Sequence, residues 1–102
     1  MSSNNNPENV SFLVYLQNII DQRKVEMPEG SYTSRLFQKG LNKIAKKVGE
    51  EAVELVIESS GNNDNFFLNE AADLLYHLLV LLSARNYRIE DVVEVLKLRH
   101  KK

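Results

Sequence analysis

The sequence predicts an all-α fold. Apolar residues recur at three- and four-residue spacing along most of the chain, the period of a helix with one buried face. Turn-forming residues at Pro28, Gly30, Gly40 and the run Gly61-Asn62-Asn63 cut that pattern into helix-length segments. No stretch alternates apolar and polar residues well enough to compete as a strand.

The elements follow in order. Residues 1–8 are polar and read as a disordered lead, leaving residues 9–100 as one domain. Phe12, Leu13, Leu16, Ile19 and Ile20 form the stripe of a first helix, capped by Asn9 or Ser11 and ending near Arg23. A short second helix opens at Thr33 or Ser34 and stops at Lys39, where Gly40 suits a tight corner. The third runs from about Leu41 to Ser60 on Leu41, Ile44, Ala45, Val48, Ala52, Leu55 and Val56. Asp64 caps a fourth, which reaches Ala84 or Arg85 and is apolar nearly all round. A last helix spans roughly Glu90 to Arg99, with Val92, Val93 and Leu96 facing inward.

A helix with so wide an apolar circumference needs more cover than the rest of a 102-residue chain offers. The expected solution is a homodimer in which the third and fourth helices of both copies build a four-helix core, with Leu79 in the interface.

Composition narrows the function. Hydrophobic residues make up 43% of the chain, too many for a disordered protein. The net charge of −1 and the absence of long basic runs give no nucleic-acid footprint. Without cysteine there is no disulfide, zinc–thiolate site or thiol nucleophile. The N-terminal residues do not spell a signal peptide, and the run from Leu74 to Leu82 is short for a membrane span. A cytoplasmic protein is expected.

The acids carry the chemistry. At about 100° per residue, Lys47, Glu51, Glu54 and Glu58 share a flank of the third helix, with Glu51 nearest the apolar stripe. Glu70, Asp73 and His77 share an edge of the fourth. Packing the two stripes together brings Glu51, Glu54, Glu70 and Asp73 into one groove. Clustered carboxylates repel, and a divalent cation relieves them; an all-oxygen site suits Mg²⁺, or Mn²⁺. The bland alternative is a set of surface acids paired with Lys46 and Lys47. Carboxylate-bound Mg²⁺ points to phosphate chemistry, and with no glycine-rich phosphate loop present, hydrolysis by metal-activated water is the simplest chemistry for these residues.

The segments SYTSRLFQKG, KKVGEEAVE and NEAADLLYHLLVLL, in this order, resemble the phosphoribosyl-ATP pyrophosphatases of histidine biosynthesis, within the all-α, MazG-like nucleotide pyrophosphohydrolases. The resemblance covers about residues 10–100. Its motif is an E-x-x-E followed by an E-x-x-D: Glu51 and Glu54, then Glu70 and Asp73, with 15 residues between the pairs.

The resemblance implies Mg²⁺-dependent hydrolysis of phosphoribosyl-ATP to phosphoribosyl-AMP and pyrophosphate, by a homodimer. It implies metal ligation by the four acids, with Glu51 or Glu54 activating water. Lys47 is the best candidate to meet phosphate charge, followed by Lys46 and Arg23. Tyr32 and His77 are further candidates for substrate contact. In some relatives a phosphoribosyl-AMP cyclohydrolase domain shares the chain; 102 residues are expected to leave no room for it. Two rival readings stay open: a house-cleaning nucleoside triphosphate pyrophosphohydrolase, and a non-catalytic helical dimer that serves as an interaction module.

Overall fold

The computed structural model of the protein describes residues 7–101, and the regular elements in them are five α-helices. The most extensive pairing joins α3 (Leu41–Ser59) to α4 (Asp64–Ala84). The short connection between them makes an antiparallel hairpin. Against one end of it lie α1 (Pro7–Glu26) and α2 (Tyr32–Lys39), while α5 (Ile89–His100) folds back on α1.

The helix ends differ from expectation in instructive ways. Of the expected disordered lead, residues 1–6 lie outside the described residues, whereas Pro7 and Glu8 open α1. Proline has no backbone N–H to leave unpaired in a first turn, and Glu8 there suits the helix dipole. At its other end α1 runs past Arg23 to Glu26. Met27 then turns left-handed at φ 49°, its N–H donating to the Arg23 carbonyl over 3.0 Å.

Two caps sit one position or more before those expected. Ser31 caps α2, its Oγ accepting from the Ser34 N–H at 3.1 Å. Asn63, not Asp64, caps α4 by accepting from the Phe66 N–H at 3.0 Å. In both cases the capping oxygen stands three residues before the amide it satisfies, the spacing of an N-cap.

Gly40 forms the corner between α2 and α3 with no other residue intervening. Its φ of 97° is open to glycine and strained for other residues. Its N–H donates to the carbonyls of Leu36 and Phe37, and its own carbonyl accepts from the Ile44 N–H at 3.2 Å, so one residue ends one helix and begins the next.

The core is small and sits at one end. Ile20, Leu36, Ile44, Leu79 and Val80 are buried, with Leu13, Leu16, Phe37, Tyr76 and Leu82 packed around them. Fully burying a side chain of this size contributes about 1.5–3 kcal/mol. Leu79 is fully covered within its own chain, so the expectation that it lies in a dimer interface is corrected. The expected inward face of α5 is corrected too: Val93 and Leu96 are exposed, and none of this helix's residues is buried.

Polar contacts between helices lock the packing. Gln17 is fully buried, donating from Nε2 to the Leu79 carbonyl at 3.2 Å and accepting the Ile89 N–H on Oε1 at 2.9 Å. Lys24 Nζ donates to the Ser83 carbonyl at 2.6 Å, close to the end of α4. Arg88 reaches Asp21 at 2.6 Å and Asn18 at 2.7 Å. By length and composition alone α4 could cross a bilayer. Its Glu70, Asp73 and His77, and its contacts with α1 and α3, instead make it the central helix of this fold.

Candidate functional site

The site forms where the middle of α3 faces the middle of α4. Glu51, Glu70 and Asp73 each bring one carboxylate oxygen into a group whose members lie within 4.8 Å of one another. On α4 the i, i+3 spacing puts Glu70 and Asp73 on one face. On α3, Glu51 is half-buried against that face, where the apolar packing of the hairpin holds it. Glu54 stands outside this trio and is exposed, though its charge still acts on Glu70.

Glu70 is the most constrained of the four. One of its oxygens, Oε1, is buried and has no hydrogen-bond partner among the described residues. Burial raises the Glu70 carboxyl above its usual 4.5, and contact with Glu51, together with the charges of Glu51, Asp73 and Glu54, raises it further. An unpartnered buried carboxylate oxygen among other acids is unfavourable by itself. The donor set, three hard oxygens with one aimed at no protein group, fits a divalent cation.

A cleft of about 390 Å³ opens beside the trio, lined by Tyr32, Lys47, Glu51, Asp73, Tyr76 and His77. Lys47 lies one helical turn before Glu51, and its Nζ is 3.5 Å from a Glu51 oxygen. It is held above its ordinary value first by Tyr32 and then by Glu51. The ammonium is therefore a firm positive charge at the edge of the acidic group.

Both ring nitrogens of His77 are engaged. Its Nδ1 lies 2.7 Å from the Asp73 backbone carbonyl, an acceptor, so Nδ1 carries hydrogen. Its Nε2 lies 2.7 Å from the Tyr32 hydroxyl. Buried and satisfied on both nitrogens, His77 positions Tyr32 at the mouth of the cleft. Burial is also the main reason the Tyr32 hydroxyl is raised above 10.0, with Lys47 opposing.

The structure separates the sequence candidates. Glu51, Glu70, Asp73, Lys47, Tyr32 and His77 come together. Lys46 faces a neighbouring pocket rather than the cleft. Arg23, in the last turn of α1, lines neither; its backbone carbonyl accepts from Ser34 Oγ. Tyr76, which was not among the sequence candidates, also lines the cleft, packs edge-on against His77 and bonds through its hydroxyl to Thr33. Its position one residue before His77 was the available signal: an amphipathic aromatic there can face the cleft while its ring joins the core.

Comparison with known proteins gives one consistent result. The family model for phosphoribosyl-ATP pyrophosphohydrolase matches residues 13–100. The chain is similar to the histidine biosynthesis bifunctional protein HisIE of Bacteroides thetaiotaomicron, 55% identical over 95 residues, covering 93% of this chain and 47% of that protein. The HisIE of Bacillus subtilis is 52% identical over 85 residues, covering 83% and 41% respectively. A phosphoribosyl-ATP pyrophosphatase of Clostridium acetobutylicum is 47% identical over 87 residues, covering 85% of this chain and 79% of that protein. The chain thus spans about half the length of the bifunctional relatives and most of the shorter one.

Proposed function

The chain belongs to the phosphoribosyl-ATP pyrophosphohydrolase family, and from that premise we propose that it hydrolyses phosphoribosyl-ATP to phosphoribosyl-AMP and pyrophosphate, a step of histidine biosynthesis. The observation that carries this reading is the convergence of Glu51, Glu70 and Asp73, with the unpartnered Glu70 oxygen, beside a cleft edged by Lys47.

Glu51, Glu70 and Asp73 would hold a Mg²⁺ ion, with Mn²⁺ the substitute their oxygen donors also suit. Such an ion supplies charge neutralisation of the triphosphate and a more acidic bound water. The chain's own groups do the rest. Lys47 draws the phosphate oxygens toward the acidic edge and offsets the charge that builds on the leaving pyrophosphate. Glu54, outside the trio and exposed, accepts the proton of the attacking water. Oxygen of that water bonds to the α-phosphorus, the bond from it to the bridging oxygen breaks, and pyrophosphate departs with the electron pair.

The working unit we propose is a homodimer. Val53, Val56 and Ile57 on α3 and Phe66, Phe67 and Leu68 on α4 are exposed in the single chain. They form the uncovered end of the hairpin, and a second copy would cover them in a four-helix core.

A matched assay decides the substrate. Pyrophosphate release is measured from phosphoribosyl-ATP, ATP and dUTP with Mg²⁺, and phosphoribosyl-ATP is expected to be turned over at least tenfold more efficiently, roughly the discrimination one lost site contact gives. Equal turnover of ATP or dUTP would replace this reading with general triphosphate hydrolysis. Absence of turnover on all three, with the fold intact, would leave the interaction module.

A further inference from the structure

A second pocket adjoins the cleft, at the corner where Gly40 joins α2 to α3. Lys39, Lys43, Lys46 and Lys47 line it, with Tyr32 between it and the acidic site and Glu50 as its one acid. Its volume is about 190 Å³, below the range of pockets that take a whole drug-sized ligand and suited to a single group. Tyr32 and Lys47 line both cavities, so a molecule lying across them would present one end to each.

The lysines are as unrelieved as the acids next door. Lys39, Lys43 and Lys46 make no hydrogen bond or ion pair among the described residues, and Lys47 is paired only with Glu51. Lys43 stands three and four residues before Lys46 and Lys47, spacings at which like charges repel. The Gly40 corner adds Lys39 from the preceding helix. A compact dianion removes that repulsion, and flexible ammonium groups suit phosphate as a point charge.

We propose that this pocket binds a phosphomonoester, the 5-phosphate of the ribose arm, while the acidic cleft takes the triphosphate. The assignment rests on the proposed substrate, which carries two separate anionic ends; a plain nucleoside triphosphate carries one. Lys39 and Lys43 thereby set the preference for phosphoribosyl-ATP, and Tyr32, at the junction, marks where the connecting nucleoside crosses.

The test uses the double variant Lys39→Gln/Lys43→Gln, which alters exposed side chains only. Ribose 5-phosphate is titrated by NMR into wild type and variant. Kinetics are followed on phosphoribosyl-ATP, with ATP as a competing ligand. The variant is expected to lose ribose 5-phosphate binding and to raise KM for phosphoribosyl-ATP about tenfold or more, with kcat and the inhibition constant of ATP within about twofold. Lys39→Arg/Lys43→Arg should restore most of the KM, because charge rather than shape is required. An equal loss of affinity for ATP would assign the lysines to the triphosphate and overturn the proposal, as would an unchanged KM. If wild type fails to hydrolyse phosphoribosyl-ATP, the proposed function falls separately. Ribose 5-phosphate would still test the pocket: binding lost in the Gln variant supports it, and binding equal in both proteins, or absent from wild type, overturns it.

Discussion

The two ends of the α3–α4 hairpin are built from the same kinds of residue and meet opposite fates. At one end Ile44, Leu79 and Val80 disappear beneath α1 and α2. At the other, Val56 is 69% exposed and Leu68 62% exposed, with Val53, Ile57 and Phe66 close behind. Helical period alone does not distinguish them, since both ends present aliphatic residues at three- and four-residue spacing. The difference is the presence of neighbours: α1 and α2 reach one end only. The carboxylate trio lies between the finished and the unfinished halves, so a second copy covering the bare end would also bear on the site.

The largest effect is expected at the finished end. Leu79→Asp places a charge where no solvent reaches, and a loss of about 4 kcal/mol or more is expected, enough to unfold so small a domain. Circular dichroism should show lost helix even at high protein concentration. A folded monomer would mean that Leu79 belongs to an interface after all.

A smaller effect is expected from the bare end. Ile57→Asp alters a side chain already 57% exposed in the chain, so helix content should persist while self-association weakens by about 2–4 kcal/mol, or at least about 30-fold in dissociation constant. Sedimentation equilibrium reads this directly. Wild-type behaviour of the variant would show that this end is not the contact between copies.

The smallest effect belongs to the boundary. The raised Glu70 carboxyl holds its proton more tightly in the folded chain than in the unfolded one. Its protonation therefore favours folding below the ordinary carboxylate range, and that contribution is lost as pH rises through the folded value. In chelator, the difference in melting temperature between Glu70→Gln and wild type should widen in favour of the variant from about pH 4.5 to about pH 7.5. Added Mg²⁺ should narrow it. A difference that stays constant with pH would remove the repulsion from the account.

Much of this was legible in the sequence, and the gaps have physical causes. Periodicity located all five helices, and the paired acids pointed to the face on which Glu51, Glu70 and Asp73 meet. Periodicity reports which residues share a face and is silent on what covers it; hence Leu79 looked like an interface residue, and Val93 and Leu96 looked like core. Lys39 and Lys43 escaped notice because they belong to different helices, and only the one-residue corner at Gly40 brings them to one pocket. Gln17 escaped because a glutamine within an apolar stripe reads as an interruption, whereas here its buried amide bonds α1 to both α4 and the start of α5.

That amide has a kinetic signature. The N–H groups of a helix's first turn lack partners within the helix and exchange with solvent deuterium readily. The Ile89 N–H opens α5, yet it is held by the buried Gln17 Oε1 at 2.9 Å. Deuterium uptake along α5 should therefore run backwards from the usual fraying pattern, slowest at Ile89 and faster toward His100, where none of the side chains is buried. A helix with almost no core of its own is then anchored at its root, where Gln17 holds the Ile89 N–H and Arg88 reaches Asp21 and Asn18.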